Sequence, residues 1–414
     1  MSTRCRRTGS CGVSDVRFKL GDSVTHRERF LAAVALKEPD RVPISFGGTL
    51  ATGILECPPD GRTYSKLCHH LGFEDFEEPD IGHLGNFVSN IDERVTHLFG
   101  SDFYRIDPNP QPVLEHLDGS KTLLGTLCGL RVKKSGYYDD VFEFPLQNAH
   151  TLRDLRSYPF WPAPEDFARL ARGKRAVALS LRRTTDLAIV VDTLLSFPFL
   201  MYSMLAGYER YFLDMKLNPG FYFALSDKLL EIGFGIVDSF VGAVGDCIDM
   251  ICTYDDLGTQ EGLFCSIEDY RKFIQPYEEQ MLEHIRRYTD AKIYRHCCGS
   301  IYELIPLFID MGVEILNPLQ PRAKNMEPWR LKKEFGSSLA FFGGMDTQQL
   351  LPRGTPAEVK RDVEATISAY GRGGGYIFGT ATNIEPDTPV ENIVAMFEAA
   401  RALGSYPLQR EKVQ

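Results

Sequence analysis

The stretch Lys292-Ile293-Tyr294-Arg295-His296-Cys297-Cys298-Gly299 decides how the chain is read. It follows a polar helical pattern, begins as a short strand-like run and ends in a polar loop. Alternate side chains of a strand share a face. His296 and Cys298 are therefore expected to point at one spot, with Cys297 packed in the wall behind. Imidazole nitrogen and thiolate sulfur are both good zinc ligands. Two ligands do not close a site, and the competing reading is a buried thiol beside a hydrogen-bonded histidine.

Runs of the same kind recur at 42–48, 102–106, 187–192, 248–254, 314–318, 340–345 and 376–379, which with 292–296 makes eight. Helical patterns separate most of them, among them 266–288, 301–311 and 356–370. Such alternation implies an α/β fold, a (β/α)8 TIM-type barrel. A doubly wound sheet would want a Gly-x-Gly-x-x-Gly turn, which is missing. The first helix starts at Thr25, with Glu28 three residues on as a capping box. Segment 122–146, two apolar and aromatic runs around Gly136, breaks the alternation and reads as a β-hairpin insertion after the second strand. The Pro- and aromatic-rich segment 148–166 follows, and both are expected over the barrel mouth. The barrel domain spans 24–406. Residues 1–20, basic and rich in small residues, read as a disordered tail with no apolar core of a secretory signal.

The chain has 414 residues, 43% hydrophobic and 25% charged, the balance of a globular protein. A net charge of −10 argues against a nucleic-acid partner. No apolar run reaches the roughly 20 residues that span a bilayer. Ten scattered cysteines suit reduced thiols, so a cytoplasmic protein is expected.

Barrel chemistry sits at the C-terminal ends of strands. The first run delivers Gly47 and Gly48, whose backbone can approach a ligand. Later runs deliver Asp192; Asp255, Asp256 and Gln260; His296 and Cys298; Asn317 and Gln320; Asp346; and Thr382 with Asn383. Catalytic roles fall to Asp255, Asp256 and Asp346. Adjacent Asp255 and Asp256 point opposite ways in extended chain, so at most one faces the axis. Asp346 follows two glycines, where capping the next turn is the alternative. Gly47, Gly48, Gln260, Asn317, Gln320, Thr382 and Asn383 are the substrate-lining candidates.

Several pieces together resemble the uroporphyrinogen decarboxylase superfamily: Asp256-Leu257-Gly258-Thr259-Gln260, His296-Cys297-Cys298-Gly299-Ser300, Gly312 to Gln320, Gly343-Gly344-Met345-Asp346, Gly373 to Gly379, and Pro386 to Asn392. The resemblance implies a distorted (β/α)8 barrel and one of two chemistries. Metal-free decarboxylases of this superfamily carry an Arg-rich segment after the first strand and a late His. Here 46–52 has no Arg and Thr382 takes the place of the His. Zinc methyltransferases of the superfamily, which move methyl groups between corrinoid proteins and a thiol, carry a His-x-Cys pair, matched by His296 and Cys298. Their late Cys also falls at Thr382, so Asp346 or Asp256 would complete the metal shell. The expectation is therefore a zinc methyltransferase with a small-molecule substrate, possible help from a corrinoid protein, and a homodimer through exposed helix faces. The alternatives are a metal-free decarboxylase of a porphyrinogen or smaller acid, and a non-catalytic corrinoid- or small-molecule-binding barrel.

Overall fold

The apolar runs between helical patterns become staves of one barrel in the computed structural model, which describes residues 24–58, 61–81, 86–196 and 198–408. The tail 1–20 lies outside the described residues. In chain order the strands are β1 Phe103–Ile106, β2 Val113–Glu115, β3 Lys121–Leu123, β4 Leu130–Ser135, β5 Tyr138–Glu143, β6 Ala188–Ser196, β7 Met250–Tyr254, β8 Lys292–His296, β9 Ile315–Asn317, β10 Ala340–Met345 and β11 Tyr376–Thr380. Seven of them form a parallel sheet in the order β1-β6-β7-β8-β9-β10-β11.

Segment 42–46 is the eighth stave. Phe378 N donates to Pro43 O and Ser45 N to Phe378 O, both at 2.8 Å, on the β11 side. Asp102 N donates to Ile44 O at 2.8 Å on the other side. The ring closes and no barrel edge is left to pair with another chain. This gives the expected TIM-type barrel.

The seam is clamped by one carboxylate. Asp102 is wholly buried. Its Oδ1 takes Arg29 Nη1 at 2.6 Å and lies 2.7 Å from His26 Nδ1, and its Oδ2 takes Ile44 N at 2.7 Å and Arg41 Nη1 at 2.8 Å. Arg29 and His26 come from the first helix, His26–Val34, which starts on the expected Thr25–Glu28 capping box. The helix presents Phe30, Ala33 and Val34 to the barrel interior, against a cluster that includes Phe103, Met250, Tyr294 and Phe342. Inward residues thus alternate along each strand with residues facing the helical shell.

The insertion is larger than a hairpin. Strands β2 to β5 form a four-stranded antiparallel sheet, because the shorter runs 113–115 and 121–123 pair with it. The expected hairpin is its β4–β5 half, turned at Gly136 with φ +60°. Its tip does reach the mouth, where Tyr138 Oη donates to Glu385 Oε1 at 2.8 Å. Segment 148–166 packs between the insertion and the helix Pro219–Ile236, with Tyr158 Oη donating to Cys128 O at 2.6 Å and Trp161 beside Lys228. Among the described residues no helix is long and apolar enough to cross a membrane.

Burial opposes ionisation of Asp102. The His26 hydrogen bond and the Arg41 and Arg29 charges outweigh it and hold the carboxyl below its usual range. A depressed folded pKa stabilises the fold above the unfolded value of about 4, and that contribution is lost as pH falls through the folded value. Asp102→Asn should therefore cost about 3–5 kcal/mol near neutral pH, since it strands buried arginines. The gap from wild type should narrow below about pH 4. Denaturant melts at several pH values measure this. A variant as stable as wild type at neutral pH would show that the backbone ladder alone holds the seam.

Candidate metal centre

Strand β8 sends Tyr294 and His296 inward, and the chain continues with Cys298 on the same side. Its register aligns His296 with Tyr254 of β7 and Asn317 of β9. Buried Asn317 fixes the imidazole. Its Nδ2 donates to Phe342 O at 3.0 Å, which turns its Oδ1 toward His296 Nδ1 at 2.6 Å. With the amide so placed, Nδ1 carries the proton and Nε2 keeps its lone pair. That Nε2 lies 3.3 Å from Cys298 Sγ and 3.6 Å from Asp256 Oδ1. Asp256 is held in turn by the Cys298 amide, which donates to Oδ1 at 2.8 Å.

One ligand atom from each of Asp256, His296 and Cys298 lies within 4.8 Å of the others. Zinc bonds of about 2.0–2.3 Å in a tetrahedron put neighbouring nitrogen, sulfur and oxygen ligands about 3.5 Å apart. The His296–Cys298 and His296–Asp256 spacings fit that edge, and imidazole, thiol and carboxylate are all zinc donors. Of the two carboxylates the sequence offered, Asp256 lies in the trio and Asp346 does not. Burial, and next the Asp256 charge, push the Cys298 thiol well above its ordinary range. A thiol so placed stays protonated until a cation displaces the proton.

Gln320 and Gln260 lie beside this trio. Gln320 Oε1 accepts Gly299 N at 2.8 Å, its Nε2 lies 3.7 Å from Cys298 Sγ, and Gln260 Nε2 is 3.5 Å from Gln320 Oε1. Asn317, read from sequence as a substrate contact, is engaged instead with the histidine and the Phe342 carbonyl. Asp255 points away from the trio into the helical shell, where it is buried and accepts Leu200 N at 2.7 Å. Asp346 is outside the trio. It closes the turn ahead of the helix Leu350–Arg353, accepting Gln348 N at 2.8 Å and Gln349 N at 3.1 Å, and pairs with Arg322 Nε at 2.6 Å. Thr382 shares a hydrogen bond of 2.7 Å with Thr347, and Asn383 donates to Leu50 O. Gly47, at φ +67°, and Gly48 serve close packing: a Cβ on Gly48 would sit 2.8 Å from Phe103 Cβ.

Two aromatic residues joined the site without being singled out from sequence. The Tyr254 ring lies 5.1 Å from His296, and its hydroxyl donates to Asp192 at 2.6 Å. Tyr294 is buried one inward step below His296. The inward period of β7 and β8 was the signal that could have found both. A cavity of about 520 Å3 lies at the other end of the barrel. Its charges largely answer one another, as in Arg182–Asp249 and Lys292–Glu314, and it is remote from the trio.

Residues 152–403 match the family model described as Uroporphyrinogen decarboxylase (URO-D). The chain belongs to the URO-D family. Over 223 residues it is 25% identical to the methylated-thiol–coenzyme M methyltransferase of Methanosarcina mazei, covering 53% of this chain and 55% of that one. Over 163 residues it is 26% identical to the uroporphyrinogen decarboxylase of Thermosynechococcus vestitus, 37% of this chain and 45% of the other. The chain thus spans about half the length of these curated relatives. A solved methyltransferase from Methanosarcina mazei superposes with a TM-score of 0.61 at 16% identity, over 92% of this chain and 99% of that one. That likeness concerns the fold. The URO-D relatives of this chain are methyltransferases and decarboxylases, so it stands in an enzyme family with both chemistries.

Asn317→Leu should free the His296 ring and weaken zinc binding about 10–100-fold, while Asn317→Asp, which keeps an acceptor, should cost less. Chelator competition measures both. Zinc should bind more tightly as pH rises, because the Cys298 proton competes with it. Equal affinities for wild type and Asn317→Leu would mean that the amide does not orient a ligand.

Proposed function

We propose that this URO-D member is a zinc-dependent methyltransferase that passes a methyl group to a thiol. The observation carrying this reading is the imidazole, thiol and carboxylate gathered at the C-terminal mouth of the barrel. A relative that acts on methylated thiols supports it. His296 Nε2, Cys298 Sγ and an Asp256 oxygen would hold the metal, leaving a position for substrate as in other catalytic zinc sites. Bound there, zinc supplies the Lewis acidity that keeps a thiol as thiolate near neutral pH.

The chain's own groups do the rest. Asn317 holds the His296 tautomer. Gln320 ties down the Gly299 amide and so the turn that carries Cys298. The Asp256 oxygen not given to the metal, on a side chain 40% exposed, is placed to receive the proton of a thiol entering from solvent. Tyr138, anchored to Glu385, screens one side of the mouth. The methyl donor is a methylated thiol or a methylcorrinoid carried on a partner protein. In the first case the carbon–sulfur bond of the donor breaks, one forms to the acceptor sulfur, and the acceptor's proton ends on the released thiol.

Protein purified with added zinc should carry the metal, and Cys298→Ser and Asp256→Asn should each reduce it to roughly a tenth or less, as expected when one of three ligands is lost. Elemental analysis reads this. Methyl transfer from a methylated thiol to coenzyme M should fall with metal content across the variants. Metal-free wild type that instead releases carbon dioxide from a porphyrinogen would overturn the reading in favour of the family's decarboxylase chemistry.

A further inference from the structure

The trio has a second face. At the ends of β7 and β8 the residues that alternate with the ligands turn outward: Asp255 beside Asp256, and Arg295 and Cys297 on either side of His296. These three meet in one buried knot. Arg295 pairs with Glu278 of the helix Gln275–Ile285, and its guanidinium lies 5.1 Å over the Phe308 ring. Its charge also faces Cys297 and Asp255. Glu278 takes the Tyr270 hydroxyl from the π-helical turn Tyr270–Ile274, a distortion frequent at functional sites. Asp255 accepts Leu200 N at 2.7 Å, tying in the helix Pro198–Ala206. Cys297 Sγ accepts Leu257 N at 3.4 Å.

The ladder links knot and trio. Asp255 N donates to His296 O at 3.1 Å and Cys297 N to Asn317 O at 2.8 Å, beyond the strand ends. Every prospective ligand therefore has a chain neighbour anchored in the knot. Rotating the backbone at 255, 295 or 297 would move a ligand on the opposite face. We infer that Arg295 and Asp255 are positioning residues, which hold Asp256, His296 and Cys298 at metal-binding spacing from behind the barrel wall. The inference rests on the trio being a metal site.

The test uses full-length protein loaded with cobalt(II), together with zinc affinity by chelator competition. One variant is Asp255→Ala, which removes the acceptor for Leu200 N. The other combines Arg295→Met with Glu278→Gln, so that no buried charge is left unpaired. Both should give native circular dichroism, bind zinc about tenfold or more weakly, and shift the cobalt absorption band. Asp102→Asn, at the seam, is the control: it should lower thermal stability and leave the band in place. Wild-type affinity and spectrum in both site variants would overturn the inference, as would misfolding of both, or an equal band shift in Asp102→Asn. Wild type that takes up neither metal would instead overturn the metal reading itself.

Discussion

A carboxylate taken wholly out of water destabilises a fold unless its lone pairs are answered, and Asp102 is answered by two arginines, a histidine and a backbone amide. Those partners belong to the first helix, to the short stave 42–46 and to Arg41 just before it. Beyond the stave, the chain enters a turn at 50–52 where Leu50 N donates to Asp192 and Leu50 O accepts Asn383. Asp192 also holds the Tyr254 hydroxyl beside His296. Contacts from that turn thus reach the residues beside the prospective ligands, while the ligands themselves are held from the β7 and β8 side.

Period-two alternation divides labour at the ends of β7 and β8. Adjacent Asp255 and Asp256 have the same chemistry, yet one is buried against Leu200 N and the other lies at the mouth with its side chain 40% exposed. Burial drives the Asp255 carboxyl far above its ordinary range, only partly offset by the Arg295 charge. A group so placed contributes by holding structure. Asp256, 3.6 Å from the imidazole, is placed for chemistry.

The barrel was legible because each stave is a short apolar run bounded by helical periodicity, and that signal is local. The His296/Cys298 pairing and the opposed aspartates were legible for the same reason: both follow from alternation within one strand. Other features depend on partners distant in sequence. Asn317 looks from sequence like a substrate contact, and only the fold shows Phe342 O turning its amide toward His296. Asp346 sits after two glycines at a strand end, which fits a catalytic acid and a turn-closing residue equally well, and it closes the following turn. Gly47 and Gly48 signal close approach, but what approaches is Ile91 and Phe103. The extra strands 113–115 and 121–123 are too short to carry a period of their own. They become strands only by pairing, 121–123 onto β4 and 113–115 onto 121–123.

The carboxylate in the trio bears on what the proposed site could do. A His-Cys-Asp set and a His-Cys-Cys set both place two negative charges around a divalent ion. Thiolate is the softer donor and shares more electron density with zinc, so exchanging one thiolate for carboxylate loosens binding and leaves the ion more electron-poor. An electron-poor ion acidifies a bound thiol more strongly. A thiolate held that tightly is also a weaker nucleophile, since nucleophilicity falls with thiol pKa. Such a site favours capture and deprotonation of the acceptor over the intrinsic reactivity of its sulfur. That balance suits a donor whose methyl group leaves readily, and it places the burden of rate on how the donor is oriented at the mouth beside Tyr138, Tyr254 and Gln320.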